Sequence, residues 1–241
     1  MVEAAQASRP IVDGVDLEVA KGEVVGIASV RGGGGESLLR ALVGEGTRAR
    51  GAITLEDRSY EPASPFEAAE RGVLMLASDR RETVLAEMSI RHNASLSALE
   101  KLTRLGWVDR KVEATSTASC ISRAAVRTRA TPFDDALPAR ALSGGNQQKL
   151  ALARCILAKP RLLLVHEPTR GVDVAAQPEL HRLLREAADE GAGVVVASDD
   201  VDELLTLCDR ILQGQKVEKR ITLGTRSFTR ENVERGGEAI E

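Results

Sequence analysis

The chain has 241 residues and a mass of 25.8 kDa, which at about 150 residues per domain allows one or two domains. Hydrophobic residues make up 43% and charged residues 29%, a balance typical of a folded globular protein. The formal net charge is −3 and aromatic residues make up only 2%. Without a basic surplus or base-stacking side chains, we expect no nucleic-acid partner.

Hydropathy and cysteine usage indicate a cytoplasmic location. The longest apolar stretches, such as 162–165 and 194–197, have the length of strands and fall far short of the roughly 18 residues of a membrane-spanning helix. The first ten residues lack the apolar core of a secretory signal. The cysteines are few, odd in number and widely spaced, at Cys120, Cys155 and Cys208. This usage favours a reducing compartment over a disulfide framework or a zinc site.

The first third of the chain predicts a strand, a glycine-rich loop and a helix. The strand covers 24–28, and the helix runs from Ser37 to Val43 with leucines at helical spacing. Two further strands are predicted around 53–55 and 73–76. A buried strand that feeds a helix through a tight loop is typical of an α/β fold with a mostly parallel sheet.

The rest of the chain divides into a polar segment and a segment of alternating helices and strands. The segment rich in Ala, Ser, Thr and Arg is interpreted as a helical arm inserted over 88–137. After it, helices and strands are predicted to alternate at 146–158, 161–165, 177–189, 193–197 and 201–207. This alternation predicts a doubly wound fold. We expect one domain over 1–241, with its α/β core formed by 1–87 and 138–241.

The glycine-rich loop from Ser29 to Ser37 lies where a phosphate-binding loop would lie. Glycines let backbone N–H groups converge on an anion, and the following helix dipole adds positive potential. A standard phosphate loop also needs a lysine and a hydroxyl residue, but Gly35 and Glu36 occupy these two places. Shifting the register by one residue recovers a hydroxyl at Ser37 and puts Glu36 in place of the lysine. For this loop alone, a glycine turn without a ligand remains an alternative.

A second anion-binding end is predicted before the helix at 146–158. The segment 142–148 reads LSGGNQQ, in which Ser143 is expected to cap the helix. Gly144 and Gly145 would expose the N–H groups of its first turn. An ordinary capped helix is the alternative, although seven residues of motif make it the weaker interpretation.

Polar residues also follow two buried strands. The strand at 161–165 leads into His166 and Glu167, and the strand at 193–197 leads into the acidic run 199–203. Ligands of open α/β sheets bind at such carboxyl ends. The alternatives are a hydrogen-bonded histidine without a ligand, a carboxylate in a salt bridge or helix cap, and an acidic first helical turn.

Together these motifs resemble the nucleotide-binding domain of ATP-binding cassette (ABC) transporters, most closely the second ATPase half of ribose- and galactose-type sugar importers. The resemblance rests on LSGGNQQK at 142–149, EPTRGVD at 167–173, CDRI at 208–211 and GIASVRGGGGESLLRALVG at 26–44. It covers essentially the whole chain. It implies a mostly parallel P-loop sheet core, a small antiparallel β region and an inserted helical arm.

The resemblance implies a role for each candidate residue. Those that would bind ATP, from the Walker A loop, the signature and the D-loop, are Ser29, Arg31, Gly32, Gly33, Gly34, Gly35, Glu36, Ser37, Ser143, Gly144, Gly145, Gln147 and Asp173. Glu167 stands at the position of the catalytic carboxylate and Asp199 at the switch position. His166 stands where the Walker B aspartate orders Mg²⁺.

Departures from the family pattern predict a degenerate ATP site. Gly35 lacks the cation that neutralises the phosphates, His166 lacks the oxygen ligand that Mg²⁺ prefers, and Asp199 brings an anion toward the γ-phosphate. The intact signature is expected to complete the ATP site of a second ATPase domain.

The same resemblance implies the partners and the location. They are transmembrane permease subunits and a periplasmic or extracellular sugar-binding protein, with this chain on the cytoplasmic face of the membrane. The rival hypothesis is a regulatory protein that uses an ABC fold as a scaffold without transport. An active homodimeric ATPase would require the glycine loop to work without a lysine.

Overall fold

The computed structural model describes residues 15–29, 34–45, 52–104, 106–128, 132–213 and 227–228. Its strands are β1 (Val24–Ala28), β2 (Thr54–Leu55), β3 (Arg58–Ser59), β4 (Val73–Leu76), β5 (Thr103–Arg104), β6 (Trp107–Val108), β7 (Leu162–His166), β8 (Gly193–Ser198), β9 (Arg210–Gln213) and β10 (Ser227–Phe228). Its helices are α1 (Gly35–Leu42), α2 (Pro65–Glu70), α3 (Arg80–Thr83), α4 (Ile90–Ser95), α5 (Leu99–Leu102), α6 (Arg110–Arg123), α7 (Gly144–Leu157), α8 (Gln177–Asp189) and α9 (Val201–Leu207). Short 3₁₀ turns lie at Leu96–Ala98, Ala139–Ala141 and Val174–Ala176.

Within the described ranges the main sheet has the order β10-β9-β1-β8-β7-β4. Its neighbours from β9 to β4 run parallel, and β10 pairs antiparallel with β9. The pairs β2–β3 and β5–β6 are short antiparallel ribbons. The predicted fold class, a mostly parallel core with a small antiparallel β region, is confirmed.

The central strands β1, β7 and β8 have no polar side chain except His166 and Ser198 at the ends of β7 and β8, as expected for a sheet that is buried on both faces. On β8, Val194 and Val196 pack into one hydrophobic cluster, with α7, α8 and α9. Val195 and Ala197 pack into the other, with Leu39 of α1. All four residues are fully buried. The core therefore lies in two layers, and the sheet's carboxyl edge remains open for the loops that follow β1, β7 and β8.

The predicted elements of the second half agree with the structure, with small shifts at their ends. The helices predicted at 177–189 and 201–207 have those bounds. β7 lies one residue later than predicted and includes His166. α7 begins at Gly144 instead of 146, because first-turn N–H groups have no partner inside a helix and glycine loses little there. For the same reason α1 begins at Gly35 and not at Ser37.

The polar segment before α7 contains α4, α5, α6 and the β5–β6 ribbon. It is tied to the core by the Cys120 thiol, which donates to the Ala153 carbonyl on α7 at 3.0 Å. Inside the segment, Ser95 Oγ donates to a carboxylate oxygen of Glu113 at 2.7 Å. The domain boundaries and the limits of the arm stay predictions. Among the described residues, no helix has the length and apolarity to span a membrane.

Candidate functional site

The sheet brings three candidate segments together at one edge. β7 ends at His166 and β8 at Ser198, and the two strands are held in register there, since the Glu167 N–H donates to the Ala197 carbonyl at 2.8 Å. Ser29 follows β1, and its N–H donates to the Ser198 carbonyl at 3.1 Å. Parallel strand pairing thus brings Ser29, His166, Glu167 and Asp199 to one edge of the sheet.

The first turn of α1 carries a carboxylate into this edge. Gly34, in the left-handed region at φ 98°, is the N-cap of the helix, and Glu36 lies in its first turn. One Glu36 oxygen accepts from Arg40 Nε at 2.9 Å, and the other lies 3.7 Å from His166 Nδ1. Ser37, one residue further along the helix, is partly buried. A negative charge therefore faces the end of β7, where an ATP phosphate would need a positive one.

Arg40, the nearest cation in the helix, is already engaged by carboxylates. Besides Glu36 it donates to Glu45 at 2.6 Å and to Glu82 at 2.7 Å. These hydrogen bonds, with Glu82 first, raise the pKa of the Arg40 guanidinium above its usual range. Sequence analysis did not single out Arg40, although its i,i+4 spacing from Glu36 is a recognisable ion-pair signal. This arginine neutralises protein carboxylates and does not replace the missing lysine.

His166 has an unsatisfied buried nitrogen. Its side chain is 11% exposed, and Nδ1 has no hydrogen-bond partner. Burial lowers the pKa of His166, although the charge of Glu36 acts in the opposite direction. The imidazole is therefore neutral at pH 7. Sequence analysis allowed a hydrogen-bonded histidine at the end of the strand. This alternative is wrong for Nδ1, because the nearby Glu36 oxygen lies at 3.7 Å, beyond hydrogen-bond distance.

Gly35 and Ser29 are tightly packed against each other. A Cβ added at Gly35 would lie 3.0 Å from the Ser29 Cβ, closer still to its Oγ, and 3.3 Å from the Ala197 Cβ. Real Cβ atoms rarely come so close to another atom, so any side chain at position 35 forces Ser29 to move. The missing lysine and the serine at the start of the loop are thus sterically coupled. Arg31, Gly32 and Gly33, also predicted to bind ATP, lie outside the described residues.

Glu167 has a strained backbone and a buried carboxylate. Its φ is 51°, in the left-handed region that non-glycine residues seldom adopt, and it is 9% exposed. One carboxylate oxygen accepts the Asp199 N–H at 2.8 Å. Burial raises the pKa of Glu167. Neither predicted alternative, a salt bridge or a helix cap, describes this carboxylate, which instead joins the ends of β7 and β8.

A buried polar chain extends from this carboxylate. Ser198 Oγ lies 3.5 Å from a Glu167 oxygen and donates to Glu203 at 2.8 Å. The other Glu203 oxygen contacts His181 Nε2 at 3.1 Å. Sequence analysis placed Glu203 in the acidic run 199–203 but missed its contact with His181, because nothing local to α8 or α9 signals that contact. The exposed Asp199 lies just before Asp200, whose side chain caps α9.

The signature segment presents a helix end without a carboxylate. α7 begins at Gly144, and no acidic residue lies in its first turn. Ser143 does not cap the helix through its side chain, as was predicted. Its Oγ accepts from Asn146 Nδ2 at 2.8 Å, and the Gln147 amide donates back to the Leu142 carbonyl at 3.2 Å. The Ser143 side chain therefore accepts no hydrogen bond from the backbone N–H groups at the start of α7, and these groups can donate to another acceptor.

The segment predicted as the D-loop packs beside the signature. Asp173 is exposed, and its carbonyl accepts the Ala176 N–H at 2.8 Å at the start of a 3₁₀ turn. A Cβ at Gly145 would lie 3.4 Å from Val172 Cγ1, an ordinary van der Waals distance. Gly145 thus packs beside Val172, the residue before Asp173.

Potential metal ligands come in pairs in the described part of the chain, and Glu36 with His166 is the pair at the Walker positions. No group of three or more His, Cys, Asp or Glu residues that could hold a metal ion occurs within the described ranges. Glu36 and His166, at 3.7 Å, are the two potential ligands at the carboxyl edge that face each other.

The fold and these segments define an ATP-binding cassette. The sequence model of the family described as "ABC transporter" matches residues 12–170, and the chain belongs to this family. ABC ATPase domains bind ATP, typically with Mg²⁺, and work with a partner ATPase and transmembrane permease subunits.

Among curated proteins, the chain is similar to ribose import ATP-binding proteins. The chain is 36% identical over 228 residues to the ribose import ATP-binding protein RbsA 1 of Burkholderia ambifaria, covering 94% of this chain and 43% of that protein. It is 36% identical over 220 residues to RbsA 2 of Rubrobacter xylanophilus, covering 91% of this chain and 42% of that protein. The chain thus spans about two fifths of the length of these relatives.

Solved structures share the fold at low sequence identity. CbiO1 from Clostridium perfringens, part of the ABC transporter complex cbiONQ, superposes with a TM-score of 0.74 at 20% identity, covering 93% of this chain and 84% of that one. The dimeric ATP-binding cassette MJ0796 bound to ADP and Pi gives a TM-score of 0.72 at 20% identity, covering 87% of this chain and 89% of that one. At this identity the likeness is one of fold.

Proposed function

We propose that this chain is the ATP-binding component, or one half of it, of a carbohydrate ABC importer. Its own Walker A and B site is degenerate, and its signature completes the ATP site of a partner ATPase domain. The relatives named ribose import ATP-binding proteins support the substrate class. The partners are permease subunits and an extracytoplasmic sugar-binding protein, and the chain works at the cytoplasmic face of the membrane.

The chain's own Walker site does not fit Mg-ATP. A phosphate loop contacts Mg²⁺ through a hydroxyl, and the Walker B carboxylate also holds the ion. Glu36 and His166 occupy these two positions, and the lysine position holds Gly35, which is packed against Ser29. Mg²⁺ prefers oxygen ligands, so an imidazole is a poor substitute. Weak nucleotide binding and little hydrolysis follow for the isolated chain.

The signature carries the proposal. At Gly144 and Gly145 the N-terminus of α7 is free of acidic residues, and the Ser143 hydroxyl is held by Asn146. Helix N-termini stabilise phosphates through N–H groups and the dipole, without a cation. The signature can therefore contribute to an ATP whose Walker contacts come from another domain. In phosphoryl transfer such contacts act by positioning and charge stabilisation.

The test is ATP turnover by this chain assembled with its cognate ATPase partner and permease. Ser143→Arg places a bulky cation at the signature and should reduce turnover by about a hundredfold or more, on the scale of losing an oxyanion donor. Glu167→Gln should leave turnover within about twofold of the parent, because a degenerate site contributes little. Ser119→Arg, at an exposed position of α6, is the matched control for the introduced charge.

Two outcomes would reverse the assignment. Full turnover with Ser143→Arg would mean that the signature of this chain contacts no ATP. Collapse with Glu167→Gln, in a variant whose circular dichroism matches the parent, would make the chain's own site the working one. Turnover that never depends on a permease would favour the regulatory scaffold instead.

A further inference from the structure

The two side chains that face each other at the Walker positions form an unusual pair of donors. A carboxylate stands where the family has a hydroxyl, and an imidazole stands where it has a carboxylate. What has changed is the kind of donor, from two oxygens to one oxygen and one nitrogen.

Two features of this pair leave donor atoms available to an ion. The Glu36 carboxylate is divided between two neighbours, with one oxygen bound by Arg40 Nε and the other turned toward His166 Nδ1 at 3.7 Å. Nδ1 is buried and has no partner. A buried polar atom without a hydrogen bond is rare and calls for an explanation such as a water or an ion.

We propose that Glu36 and His166 bind a borderline divalent transition-metal ion, with Zn²⁺ as its representative, in place of Mg²⁺. The proposal rests on the degenerate Walker site described above. Imidazole nitrogen suits Zn²⁺, Ni²⁺ and Cu²⁺, whereas Mg²⁺ takes oxygen ligands. At Zn–N and Zn–O distances of about 2.1 Å, two tetrahedral ligands lie about 3.4 Å apart. The observed separation of 3.7 Å needs a side-chain shift of only a few tenths of an ångström.

The surroundings make this an open, two-ligand site. No third His, Cys, Asp or Glu completes a cluster among the described residues, so solvent or phosphate oxygens take the remaining positions. Glu36 is 43% exposed, which gives an ion a path from solvent to the buried imidazole. Of the charges near His166, Asp199 favours a bound cation, and Arg40 and Arg170 oppose it. Binding should therefore be weaker than at a closed structural zinc site.

The experiment measures metal binding to the purified, nucleotide-free chain by calorimetry, with ZnCl₂ alone and MgCl₂ alone. Co²⁺ absorption reports whether a nitrogen ligand is present. We expect Zn²⁺ to bind at least tenfold more tightly than Mg²⁺. Glu36→Gln and His166→Gln should each weaken Zn²⁺ binding by tenfold or more, and with His166→Gln the Co²⁺ spectrum should revert to that of the aqueous ion. Circular dichroism and thermal melting identify any variant that fails to fold.

The chain offers matched controls for both ligands. Glu45 is also bound by Arg40 but is not paired with His166, so Glu45→Gln should leave Zn²⁺ affinity unchanged. His92→Gln removes an exposed histidine of α4 and should also have no effect. Arg40→Gln removes the arginine that binds Glu36 and should tighten Zn²⁺ binding. The test therefore includes one variant with higher Zn²⁺ affinity beside those with lower affinity.

Three results would overturn the proposal. The first is Mg²⁺ affinity equal to or above that for Zn²⁺. The second is Zn²⁺ binding that survives both ligand substitutions, which would make it adventitious. The third is Zn²⁺ binding lost on His181→Gln instead, which would move the ion to the contact between His181 and Glu203. Because the metal is tested alone, failure here leaves the role of the signature untouched, and failure of the turnover test leaves this result standing.

Discussion

Two helices of this protein begin with glycine, and their N-termini have opposite chemistry. α1 starts at Gly35 and places Glu36 in its first turn, whereas α7 starts at Gly144 with no acidic residue in its first turn. Backbone N–H groups and the dipole are the same at both ends. We therefore expect the side chains of the first turn to decide whether such an end attracts a phosphate or repels it.

The two ends also differ in how their neighbours are engaged. At α1, Arg40 binds the carboxylate that repels a phosphate and is held by two further acids. At α7, the Ser143–Asn146 hydrogen bond takes the serine oxygen away from the backbone. If the proposed function is correct, a glycine-rich helix start alone does not make a phosphate site.

The largest effect is expected from rebuilding the α1 end. Ser29→Gly, Gly35→Lys, Glu36→Ser and His166→Asp together should tighten Mg-ATP binding by about a hundredfold or more. The lysine restores a charge-assisted contact of about 1.5 to 3 kcal/mol, and each 1.4 kcal/mol is about tenfold in affinity. The remaining changes remove a like charge and restore oxygen ligands. Calorimetry with Mg-ATP measures the gain.

The control for this rebuilding is the triple variant that keeps Ser29. It should gain far less, because the new lysine collides with the serine side chain. The four positions converge on one site, so their effects should not be additive. A quadruple variant that binds Mg-ATP no better than the parent would show that the loop register is wrong.

A smaller effect is expected when Gly35 and Gly145 are each replaced by alanine and the free energies of unfolding are compared. Gly35→Ala should destabilise the fold by about 1 to 3 kcal/mol, the usual range for overpacking, because its Cβ meets Ser29 and Ala197. Gly145→Ala meets Val172 at an ordinary distance and should be neutral or stabilise by up to about 1 kcal/mol. Urea denaturation of both variants gives the comparison.

Ser29→Gly should rescue the stability that Gly35→Ala loses. Added to Gly35→Ala it should recover most of the lost free energy of unfolding, since the crowding side chain is removed. Added to Gly145→Ala it should change nothing beyond its own effect. Equal losses at the two glycines would contradict the packing described for α1.

The smallest expected effect concerns the pH dependence of stability at the end of β7. Burial raises the pKa of Glu167 above its ordinary value of 4.5, so folding disfavours the ionised carboxylate. Its contribution is full below the ordinary pKa and is lost as the pH rises through the raised pKa. Glu167→Gln, whose amide oxygen can still accept the Asp199 N–H, should therefore stabilise the chain at pH 7. The gain should vanish below about pH 4, as measured by thermal melting in matched buffers.

Periodicity and turn chemistry predicted most of the fold. The strands at 24–28 and 73–76 and the helices of the second half needed only apolar patterning and glycine stops. The first residues of α1 and α7 were less predictable. Glycine was treated as a helix breaker, although the first turn of a helix tolerates it. The motifs also predicted which strand ends converge, since parallel pairing aligns their carboxyl ends.

The side-chain contacts were beyond sequence reasoning. The engagement of Arg40 by Glu36 could have been found from i,i+4 spacing, but the added partner Glu82 is 42 residues away. The close approach of Gly35 to Ser29 depends on how the start of α1 is placed against the end of β1. The unpartnered Nδ1 of His166 depends on a distance that no local pattern encodes.

The packing of Ser29 against Gly35 also constrains the route by which such a site could be regained. A mutational path that introduces a side chain at position 35 first must pass through a strained intermediate, because the serine Oγ already fills that space. A path that changes Ser29 first avoids the strain. A library of single substitutions screened for ATP binding should therefore recover no lysine at position 35, whereas the same library built on Ser29→Gly should accept one.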